Sequence, residues 1–152
     1  IILSFVTLRI LNSFISTETV LMENKFGILA SSLATSFIEQ ASSKAFDEFT
    51  DTNSVDDVKY LSAYLGPEYG EVYPDFDDFD DYNGFLYNTG NDTTIRSAVF
   101  DIACKVNYIN SYEPDIAQSG RSWNKKLTVT VTSPSMVDTI RLSTINSYWF
   151  YR

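Results

Sequence analysis

The sequence predicts an α+β fold: one long N-terminal helix packed on an antiparallel β-sheet. Three observations predict it. The stretch from Ile1 to Phe49 holds no proline and a single glycine, Gly27. Helix-breaking residues then crowd residues 66–96, with Gly66, Pro67, Gly70, Pro74, Gly84 and Gly90, as a loop-rich segment requires. Beyond that, apolar and polar residues alternate with the period of two that marks half-buried strands. The division is a helix over 1–50 and an acidic β-rich domain over 51–152.

The helix comes first. As one rod it would be about 70 Å long at 1.5 Å per residue, whereas a domain of this size is only about 30 Å across. Its opening is apolar: Ile1, Ile2, Leu3, Phe5, Val6, Leu8, Ile10, Leu11, Phe14 and Ile15, interrupted by Arg9. These residues are the predicted assembly core, because the rest of the chain cannot cover them. The run is shorter than the ~20 residues that span a bilayer. The chain does not begin with methionine. A removed leader or a longer precursor is therefore expected, and upstream residues would complete a membrane span. From Asn12 to Thr19 the Ser, Thr and Asn side chains compete for backbone hydrogen bonds, so helix is weakest there. From Phe26 onward, Leu29, Ala30, Leu33, Phe37, Ala41 and Ala45 follow helical spacing. That half is expected to carry the sheet. The helix is expected to end near Phe46–Phe49, where Asp47 and Glu48 oppose the helix dipole.

A short second helix is expected at 55–65, with Ser54 as its cap and Val58, Leu61 and Leu65 on one face. Asn83-Gly84 signals a tight turn. Ala98, Phe100, Ile102, Cys104, Val106 and Tyr108 alternate along a strand over 97–109. Lys126 to Thr132 forms a second strand with a threonine face. A third resumes at Thr139 and runs on to Tyr151, with a phase change near Thr144 that suggests a bulge. Consecutive strands make an antiparallel meander. The aromatic end, Tyr148 to Tyr151, reads as a buried final strand.

Composition narrows the function. Eleven basic against 20 acidic residues give a net charge of −9, which excludes the basic stripe that nucleic acid needs. Histidine is absent, removing the commonest general base and metal ligand. Cys104 is the only cysteine and reads as a small buried hydrophobe. Aspartates crowd one segment: Asp75, Asp77, Asp78, Asp80 and Asp81. Such carboxylates repel one another unless they are solvated or bind a cation. The favoured reading is a solvated turn anchored by Phe76 and Phe79. The alternative is a Ca²⁺ site, since hard oxygen ligands suit that ion, although the spacing is not that of an EF-hand. No cofactor is required. A carboxylate pair alone builds no substrate cleft, so an enzyme is not expected. Asn91-Asp92-Thr93 matches the short glycosylation pattern.

The layout resembles that of type IV pilins and pseudopilins, and is most similar to pilin-like proteins of the mannose-sensitive haemagglutinin type. The resemblance rests on the whole layout and on two segments, Glu39 to Asp47 at the helix end and Phe76 to Gly84 in the acidic motif. Pilins carry glutamate at the fifth mature position, where this chain has Phe5. The resemblance implies a non-enzymatic structural subunit whose protruding helices bundle into an extracellular or cell-surface filament. Before assembly such a subunit sits anchored in the inner membrane. Within a filament Arg9 needs a counter-charge, which Glu18 or Glu23 of a neighbouring copy would supply. The alternative is a membrane-anchored pseudopilin or surface binding module of a secretion or adhesion system.

Overall fold

The computed structural model describes residues 2–91 and 98–149, and within the first helix it leaves the side chains at 2–5, 8, 12, 16 and 19 undescribed. Helix α1 runs unbroken over Ile2–Ser42, about 60 Å at 1.5 Å per residue. The Asn12–Thr19 stretch stays helical, contrary to the weakness expected there. Thr17 helps by turning its hydroxyl back to the Ser13 carbonyl at 2.9 Å, which satisfies it inside the helix.

The helix stops at Ser42, earlier than expected. Ser43 and Lys44 close the last turn through the carbonyls of Glu39 and Ala41. Ala45 has already left the helix: its N–H donates to Asp77 O and its carbonyl accepts from Phe79 N. Asp47 therefore caps no C-terminus. It is the N-cap of a separate short helix, α2, over Glu48–Asp51, in a capping box with Thr50. This removes the dipole conflict, because a carboxylate belongs at a helix N-terminus.

The predicted helix at 55–65 is replaced by a single 3-10 turn over Val58–Tyr60, capped by Asp57 rather than Ser54. Tertiary bonds claim the backbone that a helix would use. Tyr148 OH accepts from Val55 N at 3.1 Å, and the Asp47 carboxylate accepts from Ser62 N at 3.0 Å. The apolar residues still pack as a group, with Val55 and Leu61 beside Phe46 and Tyr108.

The sheet has five strands, all paired antiparallel: β1 Leu86–Asn88, β2 Asp101–Asn110, β3 Glu113–Ala117, β4 Asn124–Thr132 and β5 Ile140–Ser147. The order is β1-β2-β4-β5, with β3 paired to β2. Strands β1 and β3 were not expected from the sequence. β1 has only three residues, and β3 carries Pro114, which suits an edge. The bulge expected near Thr144 is absent, because β4 and β5 pair without a break from Asn124↔Ser147 to Val131↔Ile140. The irregularity lies in β2 instead, at Ile109/Asn110. Trp149 is 81% exposed, so the chain end is not a buried strand as far as it is described; Phe150 and Tyr151 lie outside the described residues. Residues 92–97, which hold part of the glycosylation pattern and the start of the predicted strand, also lie outside them.

The second half of α1 packs on β4 and β5. Ala30, Ala34, Phe37 and Ala41 meet Ile102, Cys104, Val106, Leu127, Val129 and Val131 in one core. Cys104 is buried and free, and burial pushes its thiol up to about 12, as an inert core residue requires. Phe37 touches the rings of Tyr73, Phe85 and Tyr87 at centroid distances of 5.8–6.1 Å. The abundant aromatics thus fill the space between helix, loop and β1. Ala34 is fully buried at the helix–sheet contact. Replacing Ala34 with Leu is expected to destabilise the fold by about 1–3 kcal/mol through overpacking, read as a lower urea midpoint with an unchanged slope.

Candidate functional site

Two features stand apart from the ordinary core. The first is the protruding half of α1. From Val6 to Lys25 every side chain that is described is exposed. Val6, Ile10, Leu11, Phe14 and Ile15 of the predicted assembly core are between 50% and 67% exposed. Val20, Leu21 and Met22 continue the surface at 52–63%. Ile1 and the side chains of Ile2, Leu3, Phe5 and Leu8 lie outside what is described. At 100° per residue, the exposed apolar side chains cover about 220° of the helix circumference. That is wider than the stripe an amphipathic helix needs against one surface.

Arg9, Glu18 and Glu23 are exposed on the same rod. Arg9 is separated from them along the axis by about 13 Å and 21 Å, too far for a pair within one straight helix. Among the described residues, no helix is long and apolar enough to cross a membrane.

The second feature is the acidic turn. Phe76 and Phe79 anchor it as expected, at 3% and 0% exposure. The turn is not solvated, however. Asp78, Asp80 and Asp81 are buried, at 1%, 1% and 0% exposure, while Asp75 and Asp77 remain exposed. The local fold explains this. The bonds of Asp77 and Phe79 to Ala45 tie the segment to the end of α1, and a 3-10 turn over Asp80–Tyr82 follows. Asp78 Oδ1 accepts from the N–H groups of Asp80 and Asp81, at 2.7 and 3.2 Å. Asp81 Oδ2 in return accepts from Asp77 N and Asp78 N, at 3.0 and 2.9 Å. Asn83 closes the turn, donating to Leu65 O at 2.9 Å and accepting from Val106 N at 3.0 Å. Gly84 then takes φ +80°, a conformation glycine adopts without strain.

Lys125 answers part of this charge. It lies on β4 with the same facing as Leu127, Val129 and Val131, and so points its ammonium into the domain. Nζ donates to Asp47 Oδ2 at 2.7 Å, to Phe46 O at 2.7 Å, and to Asp80 Oδ1. Asp47 is further held by Ser62 N and Oγ, and Tyr108 OH donates to Asp47 Oδ2 and to Ser62 O. Burial and the nearby Asp47 and Asp80 charges push the Tyr108 phenol up. The sequence reading missed Lys125 and Asp47. Strand parity exposes the first: counting back by twos from Val131 reaches Lys125.

The acidic turn holds more negative charge than Lys125 can offset. Burial pushes Asp80 up to about 8, against the opposing pull of Lys125, and Asp81 up to about 7. Glu68, on the exposed rim, is raised to about 7 by partial loss of its water and by the Glu71, Asp78 and Asp81 carboxylates around it. Asp78 is raised as well, again mainly by burial. A raised carboxylate pKa means the folded chain holds protons that the unfolded chain has already released. Stability is then full below about pH 4 for these groups and falls as pH climbs through 7 to 8. In chelator-treated buffer the melting temperature is therefore expected to drop between pH 6 and pH 8.5. A flat or rising profile would contradict this charge distribution.

Of the five predicted metal ligands, two end up beside other acids. Carboxylate oxygens of Asp78, Glu48 and Glu68 lie within 4.8 Å of one another, and so do those of Asp81, Glu68 and Glu71. Asp80 is turned to Lys125 instead, and Asp75 and Asp77 belong to neither group. The glutamates were missed because they lie outside the aspartate run, although Glu68 and Glu71 precede it by only a few residues. No known protein family, no curated protein and no solved structure matches the chain.

Proposed function

We propose that this chain is a pilin-like structural subunit that polymerises through its protruding helix into an extracellular or cell-surface filament. The observation that carries the reading is the bare rod of α1: every described side chain from Val6 to Lys25 is exposed, Leu, Ile, Phe, Val and Met among them. Each large apolar side chain gains about 1.5–3 kcal/mol on burial, so the rod favours association strongly. An apolar arc of about 220° cannot be covered by a single flat partner. Copies of the same helix on two or more sides would cover it. A head-to-tail arrangement of such copies extends without closing.

The charges favour a staggered bundle. A neighbour displaced along the axis by about 13 Å or 21 Å brings its Glu18 or Glu23 level with Arg9. The second half of the helix, locked to β4 and β5, holds the acidic domain on the outside. There the net charge of −9 discourages side-to-side clumping of filaments. In this reading the protein has no catalytic role.

Negative-stain microscopy of the full chain tests the proposal. Fibres of uniform width support it. Monomers that persist only in detergent would overturn it in favour of a membrane-anchored binding module.

A further inference from the structure

We propose that the acidic turn is a binding mouth for a divalent cation of the Ca²⁺ type, formed by Asp78 and Asp81 inside and by Glu68, Glu71 and Glu48 around them. This inference is independent of the filament reading. It begins with atoms that lack partners. Asp78 Oδ2 and Asp81 Oδ1, like Asp80 Oδ2 beside Lys125, are buried and accept no hydrogen bond, on residues exposed by at most 1%. A buried carboxylate oxygen left in that state is costly. Each of these carboxylates is also fixed by its other oxygen, through the reciprocal backbone bonds between Asp78 and Asp81. The two free oxygens are thus held in place without being used.

Lys125 cannot serve them. An ammonium has three N–H donors, and those of Lys125 go to Phe46 O, Asp47 Oδ2 and Asp80 Oδ1. Among the described residues, the buried carboxylates are Asp47, Asp78, Asp80 and Asp81, against the single buried cation Lys125. The charge of Asp78 and Asp81 is left for something else to neutralise.

Further carboxylates surround both. The two acidic groups share Glu68, and within each the oxygens lie no more than 4.8 Å apart. That span is about twice a Ca²⁺–oxygen distance. Glu71 is braced by Asp77 N at 3.1 Å and Glu68 N at 3.2 Å. On one side, Asp81 and Glu71 line a surface cavity of about 490 Å³ with Tyr73, Phe76 and Asn83. The donor set is oxygen throughout, which favours Ca²⁺ over zinc or copper. Flexible glutamates at the rim suit the loose geometry of Ca²⁺ better than the strict octahedron of Mg²⁺.

The test uses the full chain in detergent at pH 7.5, melted in 5 mM CaCl₂ and in 5 mM EGTA with NaCl matching the ionic strength. Calcium is expected to raise the melting temperature by roughly 3–12 °C, with titration calorimetry giving a dissociation constant of about 10⁻⁵–10⁻³ M. Asp81→Asn should abolish both effects. Because that variant removes buried contacts of its own, Glu68→Gln is the decisive companion: Glu68 is exposed, yet it is shared by both groups. It should fold normally and bind Ca²⁺ about tenfold more weakly or worse. The proposal is overturned by no calcium-dependent shift together with no calorimetric signal. It is equally overturned by a shift of full size in Glu68→Gln, which would mark a general ionic effect.

Discussion

Replacing Lys125 with methionine is expected to destabilise the protein by about 3–5 kcal/mol, the usual cost of removing one partner from a buried ion pair. The substitution keeps the volume and the apolar stem of the side chain, and so isolates the charge. What it leaves behind is severe: Asp47 and Asp80 remain buried, at 0% and 1% exposure, without their common cation. Phe46 O loses a donor as well. A melting-temperature drop on the order of 10 °C follows for a chain of this length. Adding Asp80→Asn to Lys125→Met should restore part of the loss, because it removes one buried acid left without its partner. Urea denaturation of the two single variants and the double variant gives the coupling directly. A single Lys125→Met variant as stable as the parent would show that the clasp contributes nothing.

Leu11→Asp combined with Phe14→Asp is expected to abolish polymerisation while leaving the fold intact. Both side chains are exposed, at 56% and 67%, and neither takes part in the core formed from Ala30 onward. The folded domain should therefore keep its circular dichroism and its melting transition. In a bundle, each aspartate would place an unpaired charge in an apolar contact, which costs several kcal/mol per site. Repeated in every subunit, that is enough to suppress assembly by more than a hundredfold. Sedimentation and microscopy read the result. Fibres of unchanged yield in the double variant would remove the helix from the assembly interface and with it the filament proposal.

The parts of the fold that the sequence revealed are those governed by a single regular period. The spacing of Phe26, Ala30, Leu33, Phe37 and Ala41 identified the helix face that meets the sheet, and the alternation of Ile102, Cys104 and Val106 identified the central strand. What stayed hidden depended on partners distant in sequence. Val58, Leu61 and Leu65 have helical spacing, but Tyr148 and Asp47 take the neighbouring N–H groups from 93 and 15 residues away. The aspartates after Pro74 looked solvated because carboxylates normally are. Their burial comes from Phe76 and Phe79 drawing the segment inward and from backbone N–H groups that turn back on Asp78 and Asp81. Asp47 was the one local hint. It made no sense at a helix C-terminus, and a residue that fits poorly where it is placed often belongs to a different element.

The two adjacent lysines of β4 give the sheet a means of choosing its alignment. Lys125 faces inward to Asp47 and Asp80, while Lys126 faces outward and meets Asp115 of β3 at 2.6 Å. Sliding β4 by one residue would exchange their sides. Lys126 would then face inward, and Leu127, Val129 and Val131 would turn to water. Alternating threonines and valines alone tolerate such a slip more readily than a charged doublet does. Three ion pairs, two on the inner face and one on the outer, thus mark the aligned pairing from both sides of the sheet.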